Sequence, residues 1–469
     1  MRKNKIVLVQ REIEDKLGPM ILSAYLKTKG HDSRILIDPQ KNIKILKKID
    51  PDFIGISLLS PSVDWAISTC RYLKKHLPGA KTILGGPHPT FFPKIIEQEG
   101  VDMVCIGEGE KSLSHLLENY NGSPDSVADT PNLWIKSGKK IIKNPIAPLL
   151  TADELTQLPH SDRSHYKNYP ALKKNPHKKV WTSRGCAYSC SYCFNQQYKQ
   201  IYKGLGRMVR QRSVDSVIDE LVELKKISWQ CLEIPDDHFL ISEDWTMEFC
   251  EKYAKLINMP FTCCSTAKMI KHPIVAALKK AGCKAIYFAV ETGVEKIRRE
   301  TYNKPIKDED IYNAADALHS NGVPFLTFNM IGLPDESLED IYQTIRINQK
   351  IRTPHPWCSI LQPYPGTKIA EIMNGGADDS QPKFTYSYFQ MSPINDTQKQ
   401  KLFFNAQKLF AHMVKSNTSY QNFVRLVQNP PLKINALYPL VFYWNYGNDL
   451  KQRYGMKWNS LFRYWLYSV

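Results

Sequence analysis

The chain has 469 residues, 42% of them hydrophobic, and its 63 Lys and Arg against 46 Asp and Glu leave a formal net charge of +17. That length implies two or three domains, and the apolar fraction is enough for ordinary globular cores. No stretch reaches eighteen apolar residues, which excludes a transmembrane helix; the basic balance suits an anionic partner (a phosphorylated ligand, nucleic acid or an anionic membrane) or a generally basic soluble surface.

The N-terminus, Met1 to Val9, runs straight into a strand and carries no apolar signal region. The eleven cysteines are an odd number, and together with that N-terminus they point to a reducing cytoplasm rather than to disulfides. Residues 1–122 alternate apolar runs at Ile6–Val9, Arg34–Ile37, Phe53–Leu58, Thr82–Leu84 and Met103–Ile106 with helical stretches at Met20–Lys29, Val63–His76, Pro93–Glu99 and Lys111–Tyr120. Such alternation predicts an α/β fold, a doubly wound parallel sheet of Rossmann-like type. Sheets of this kind bind ligands at the carboxyl ends of their strands, at the topological switch point. The residues just after those ends are small: Ser57 to Ser60, Gly85-Gly86-Pro87-His88-Pro89-Thr90 and Gly107-Glu108-Gly109-Glu110. Glycine there lets backbone amides approach a large ligand. Ser57, Gly85, Gly86, Gly107 and Gly109 are therefore candidate binding positions, and pattern alone stops at a nucleotide-like ligand.

Residues 123–178 are turn-rich and polar and read as a linker, with a small hairpin around Ser137-Gly138. From Val180 the alternation resumes, with strands at Val180–Thr182, Cys231–Ile234, Phe261–Cys264, Ala285–Val290, Phe325–Met330 and Ser359–Gln362. The intervening helices are Val214–Lys226, Asp244–Ile257, Pro273–Ala281, Asp308–Ser320 and Leu338–Ile351. Six βα repeats predict a partial (β/α)6 barrel over residues 179–375, with active residues at the strands' C-terminal ends. Residues 376–469 form a mainly helical region, with a helix at Gln398–Lys415. Its end is dense in aromatic and basic residues, which suits a helical cap over a substrate or contact with a membrane interface.

After the first barrel strand comes Ser183 to Phe194, holding Cys186, Cys190 and Cys193 at spacing C-x3-C-x2-C, with Tyr192 just before the last cysteine. Iron–sulfur clusters are held by cysteine thiolates, usually four. Here a tight loop supplies three, and no fourth follows within the next thirty residues. Three thiolates on a cubane leave one iron open to a small chelating ligand, much as a catalytic zinc keeps an open position. A structural zinc site instead wants four ligands in two pairs, and no second pair is nearby. The other eight cysteines mostly sit in apolar runs and read as small core residues. Asp236 and Asp237, followed by His238, end the second strand and offer acid–base or ligand-orienting groups. Glu291 ends the fourth strand, where a carboxylate after a buried run needs a partner.

The cysteine motif resembles that of the radical S-adenosylmethionine (SAM) enzymes, and the resemblance extends over residues 180–370. It implies that Cys186, Cys190 and Cys193 hold a [4Fe–4S] cluster whose open iron binds SAM. It also implies that Tyr192, Glu291, Gly332 in "FNMIGLPDES" and Pro363 in "LQPYPGTKI" lie against SAM. Leu17-Gly18-Pro19, "GGPHPT" and "VCIGEGEKSL" make residues 1–122 similar to the cobalamin-binding domain found ahead of many radical SAM domains. The D-x-H-x-x-G motif of classical cobalamin domains is absent, and His88 lies in a different context from its histidine. The lower face of cobalt is thus expected to be open, or filled by water or another side chain.

The resemblance implies a cobalamin-dependent radical SAM enzyme, similar to the class B radical SAM methyltransferases, that methylates an unactivated carbon through a 5'-deoxyadenosyl radical and methylcobalamin. Cyclisation or rearrangement without methyl transfer is the alternative, and a corrinoid or nucleotide sensor without catalysis a further one. Expected partners are a small-molecule or lipid-like substrate and a reductase, flavodoxin or ferredoxin as electron donor, with peripheral membrane contact. Nucleic acid is not expected, since neither a second N-terminal cysteine trio nor an RNA-binding barrel is visible.

Overall fold

The structure is a computed structural model that describes residues 4–373, 396–429, 440 and 443–449. The described residues through Val180, with Ile201–Trp229, form one compact unit; Trp181–Gln200 and the described residues from Gln230 onward form a second.

The first unit is built on a seven-stranded sheet. Its strands are β1 (Lys5–Gln10), β2 (Asp32–Ile37), β3 (Phe53–Ser57), β4 (Lys81–Gly85), β5 (Met103–Cys105), β6 (Leu133–Ser137) and β7 (Lys140–Lys143), in the order β2-β1-β3-β4-β5-β6-β7. The first five run parallel. Ile6 to Val9 are buried without a break, as expected for a strand covered on both faces. Successive side chains serve opposite cores. Val7 and Val9 pack with Ala66, Cys70 and Leu73 of the helix Val63–His76. Ile6 and Leu8 pack with Met20, Leu26, Leu113 and Leu116 on the other face. The chain leaves β1 toward β2 on one side and returns to β3 on the other, which puts the switch point between β1 and β3.

Three features differ from expectation. The hairpin at residues 133–143 is not free in a linker: β6 pairs antiparallel with β5 and then with β7, because Leu133 and Ile135 are fully buried and extend the same core. A helix at Ile43–Ile49 was hidden by its lysines. The proline-rich stretch expected as one helix from Pro93 is a short helix at Pro87–Phe91 followed by a 3-10 turn at Pro93–Glu97. Residues 144–180 also belong to this unit, together with the returning segment 201–229, and buried ion pairs tie the two. The Glu220 carboxylate accepts from Arg212 at 2.7 Å and lies 3.4 Å from Arg163. Arg210 donates to Glu108 at 2.9 Å.

Val180–Thr182, expected as a strand, forms none; the short strand β8 (His177–Lys179) comes just before it in the chain. The sheet of the second unit has the strands β9 (Cys231–Ile234), β10 (Phe261–Ser265), β11 (Cys283–Glu291), β12 (Phe325–Ile331) and β13 (His355–Ile360). These five run parallel in chain order. β13 starts four residues before the expected Ser359, because its register with β12 begins at Leu326 opposite His355. Helices between the strands make this the partial barrel that the alternation predicts. Helices Thr397–Lys415 and Tyr420–Gln428 pack Phe403, Phe410, Met413 and Phe423 on Ile331, Ile341 and Ile345. Most of the aromatic and basic C-terminal segment lies outside the described residues. Among those described, no helix is long and apolar enough to cross a membrane.

Candidate functional site

In the second unit the cysteine loop is fastened from several sides. Gly185 has φ +85°, a conformation that favours glycine. The Lys199 ammonium, from the helix Phe194–Ile201 that follows the loop, donates to the Tyr188 carbonyl at 2.8 Å and the Ser189 hydroxyl at 3.0 Å. Asn303 donates to the Ser189 carbonyl at 2.8 Å, and the Ser191 amide to the Tyr302 carbonyl at 3.0 Å. Glycine is also needed at Gly366 (φ +70°), where a Cβ would sit 1.9 Å from the Gln197 amide nitrogen. That close approach seats the turn containing Pro363 on the cysteine helix, with the Tyr364 and Phe194 rings 4.8 Å apart.

Cys190 is buried while Cys186 and Cys193 are half-exposed. Burial pushes all three thiols up, Cys193 to about 11, and for Cys193 the other two thiols push the same way. The Lys304 charge opposes this at Cys190. Among the described residues no group of three His, Cys, Asp or Glu converges on a single metal position. A cubane does not require that, because its thiolates bind separate irons at its corners. Three free thiols in one fastened loop fit such a cluster, with the protons leaving as metal binds.

Beside the loop stands a buried polar triad. The Tyr192 hydroxyl donates to Glu291 Oε1 at 2.6 Å, and Lys304 Nζ donates to the same oxygen at 2.9 Å. Glu291 has φ +64°, an uncommon conformation for a residue with a side chain. Arg298 holds that backbone in place. Fully buried, it donates to the Val290 carbonyl at 3.0 Å and the Thr292 carbonyl at 2.7 Å, on either side of Glu291, and to Asp308 at 2.9 Å. It lies in a π-helical turn, Ile297–Thr301, a form that recurs at functional sites. That turn delivers Tyr302, Asn303 and Lys304 to the loop. Sequence reasoning missed Lys304, Arg298 and Lys199; a lysine or arginine reads as solvated until its buried partners are known.

Asp236 and Asp237 part company. Asp236 is 4% exposed and accepts from the Thr182 amide at 2.9 Å, the Thr182 hydroxyl at 2.5 Å and the Ser183 hydroxyl at 2.7 Å. Burial pushes it up to about 6 against those bonds. It holds the segment entering the cysteine loop. Asp237 is exposed and accepts from Asn195, whose amide also lies 3.6 Å from Cys193 Sγ. Gly332 follows β12 with φ +119° and donates its amide to Glu336 at 2.5 Å. Burial pushes Glu336 up to about 7.

In the first unit Ser57, Gly85, Gly86, Gly107 and Gly109 all lie at the carboxyl ends of β3, β4 and β5. Two of the glycines are compelled. At Gly86 (φ +91°) a Cβ would meet the Leu58 amide at 2.9 Å and the Ser57 hydroxyl at 3.0 Å. At Gly107 (φ +72°) it would lie 1.6 Å from the Tyr202 hydroxyl. Gly85 and Gly109 have ordinary surroundings, nearest atoms at 3.7 and 3.4 Å. The His88 ring pairs with the Ser60 hydroxyl at 3.0 Å and lies against Phe92, and burial pushes it down to about 4. Glycine turns, a serine hydroxyl and a neutral imidazole at the carboxyl ends of β3, β4 and β5 fit a large, polar-edged cofactor.

A doubly wound sheet followed by a partial barrel with three cysteines after its first strand is the arrangement expected of a two-cofactor radical enzyme. Comparison with known proteins agrees. The Radical SAM superfamily model matches residues 181–347, and the B12 binding domain model matches residues 5–117. The uncharacterized methyltransferase PH0819 of Pyrococcus horikoshii is 27% identical over 391 residues, 79% of this chain and 83% of its own. The cobalamin-dependent SAM radical enzyme OxsB, solved with aqua-cobalamin and SAM, shares the fold at TM-score 0.71 and 14% identity, covering 94% of this chain and 72% of that one. The radical SAM methyltransferase TsrM of Kitasatospora setae, solved with cobalamin and a [4Fe–4S] cluster, shares it at TM-score 0.63 and 15% identity, covering 79% and 78%. The chain belongs to the cobalamin-binding radical SAM enzymes. It is a cobalamin-dependent radical SAM enzyme of methyltransferase type, with [4Fe–4S], SAM and cobalamin as its cofactors.

Proposed function

We propose that this chain methylates an unactivated carbon of an apolar-bodied small molecule. The observation that carries the reading is the three-cysteine loop fastened beside the Tyr192–Glu291–Lys304 triad. When bound, the cluster supplies the electron that cleaves SAM to a 5'-deoxyadenosyl radical, and cobalamin supplies the methyl group. Cys186, Cys190 and Cys193 hold the cluster; Lys199, Asn303 and Asp236 keep their loop in shape. Tyr192 and Glu291, with the turns at Gly332 and Pro363, line the SAM site. Ser57, Gly85, Gly86, Gly107 and Gly109 line the cobalamin site, in a domain of residues 1–122. The barrel, 179–375, carries the chemistry, and 376–469 caps the substrate.

One face of the second sheet supports this choice of substrate class. Ala289, Phe328 and Trp357 are register partners on adjacent strands, so they share a face. Met330 lies on it two residues beyond Phe328. All four are at least partly exposed, Phe328 at 36%. A hydrocarbon or aromatic body suits that surface, and a lipid-like substrate would bring the protein to a membrane surface. The electron comes from a reductase, flavodoxin or ferredoxin, and the net charge of +17 favours an acidic donor.

The test is anaerobic turnover of reconstituted protein with SAM, cobalamin, a strong reductant and apolar candidate substrates. Methyl transfer requires 5'-deoxyadenosine and S-adenosylhomocysteine to grow together with methylated product. Deoxyadenosine without homocysteine product would replace this reading with cyclisation or rearrangement.

A further inference from the structure

The second unit carries a late segment that the fold anchors on one side and leaves exposed on the other. Leu440 and residues 443–449 are helical. At about 100° per residue, Asn445, Tyr446 and Asp449 fall on one side, and Leu440, Tyr443 and Trp444 fall on the opposite one.

The inner side is clamped. His355 Nδ1, at the start of β13, lies 2.9 Å from Asp449 Oδ1, and Lys415 Nζ donates to the same oxygen at 3.1 Å. His355 and Asp449 are both buried, and a buried carboxylate stays inside only with such partners. The Tyr446 ring lies against Trp357 with centroids 5.3 Å apart. Asn445, Tyr446 and Asp449 close a small gap with Gln407 and Phe410.

The outer side is apolar. Trp444 is 64% exposed, Leu440 63% and Tyr443 49%, the first two being the highest values for large apolar side chains among the described residues. Single exposed apolar side chains are ordinary, whereas a clustered patch marks an interaction surface. Charge selects its occupant. Asp449 is the one acidic residue from 440 to 469, and it is turned inward; residues 450–469 hold four basic residues, six aromatic residues and no acid. Trp and Tyr beside Lys and Arg suit a bilayer interface, where the rings sit at headgroup level and the bases meet anionic lipid. A second copy of the chain suits the patch less. Three side chains fall short of the about 800 Å² per partner of a standard interface, and like charges on both copies oppose pairing. A nucleic acid strand suits it less too, since leucine offers no ring on which a base can stack.

We propose that the face formed by Leu440, Tyr443 and Trp444 is a docking surface for an anionic lipid bilayer, with the three side chains entering the headgroup boundary. Through Tyr446 the docked segment is tied to Trp357, on the apolar face assigned to the substrate. The docking stands on this segment alone and is independent of the reaction.

The experiment is sedimentation of the whole chain, with its cluster reconstituted, in the presence of vesicles and without substrate. Phosphatidylcholine vesicles are compared with vesicles in which a third of the lipid is phosphatidylglycerol. The parent should bind the anionic vesicles, leave them at high salt and bind the neutral ones far less. The triple variant L440S/Y443S/W444S, changed only at exposed positions that the fold tolerates, should bind about tenfold more weakly. M247S/L256S, changed at apolar positions 43% and 47% exposed on the helix Glu243–Leu256, should bind as the parent does. K451Q/R453Q/K457Q/R463Q should lose the preference for anionic lipid, which tests the charge even where the triple variant fails to fold. Parent-like binding by a folded triple variant, or a parent that ignores both vesicles or binds both alike, would overturn the proposal. So would a dimer in sedimentation velocity, or a bound single-stranded oligonucleotide, that the triple variant loses, since either assigns the face to another occupant.

Discussion

At the scale of single residues, the glycines of the first unit divide into those that are required and those that are merely present. Gly107→Ala would place a methyl group 1.6 Å from the Tyr202 hydroxyl at φ +72°, so strain and displacement add. Its expected cost is at least about 2 kcal/mol in urea unfolding, with weaker cobalamin binding. Gly109→Ala has room and should stay within about 0.5 kcal/mol of the parent; equal costs for the two would contradict the geometry. Both glycines look alike in "GEGE", because the discriminating partner, Tyr202, is some 95 residues away in sequence. The triad has the same character. Lys304→Met leaves Glu291 buried with only Tyr192, and Glu291→Gln leaves a buried ammonium; each should lose about 3 kcal/mol. The double variant should lose less than the two together, a coupling that denaturation of the four proteins would measure. Glu291 was visible in sequence as a carboxylate closing a buried run. Its left-handed backbone and the Arg298 clamp were not, since both depend on contacts across a turn.

At the scale of elements, most strands and helices were legible because their apolar periods are regular. The helices Val63–His76 and Asp308–Ser320 and the strand Cys231–Ile234 fall where the pattern puts them. The failures have local causes. Residues 180–182 are apolar without pairing as a strand, since Asp236 takes the Thr182 amide instead. The turn after β12 carries a pH dependence. Glu336 has a usual value of 4.5 and stands near 7 in the folded chain, so the native state holds a proton that the unfolded chain has lost between those values. Its contribution is complete below about 4.5 and is lost as pH rises through about 7, to the order of 3 kcal/mol. Glu336→Gln keeps an acceptor for the Gly332 amide and cannot ionise. Urea melts at pH 5 and pH 8 should show the variant gaining on the parent as pH rises. A difference independent of pH would exclude a protonated Glu336.

At the scale of the whole molecule, two units each place their candidate residues at the carboxyl ends of parallel strands, one at glycine turns and one at a cysteine loop. The cysteine spacing made the second legible from sequence alone; the first rested on resemblance, since glycine turns follow strands in any doubly wound sheet. The membership of residues 123–178 and 201–229 in the first unit was not legible, because buried arginine–carboxylate pairs such as Arg212–Glu220 look like surface charge in a sequence. The measurement that bears most directly on the central claim is 5'-deoxyadenosine released from SAM by the reduced, iron–sulfur-reconstituted protein, parent against Cys190→Ala. The parent should form it and bind about four irons per chain, and the variant should form none. Release at the parent's rate from Cys190→Ala would contradict the assignment of the loop, and with it the radical chemistry.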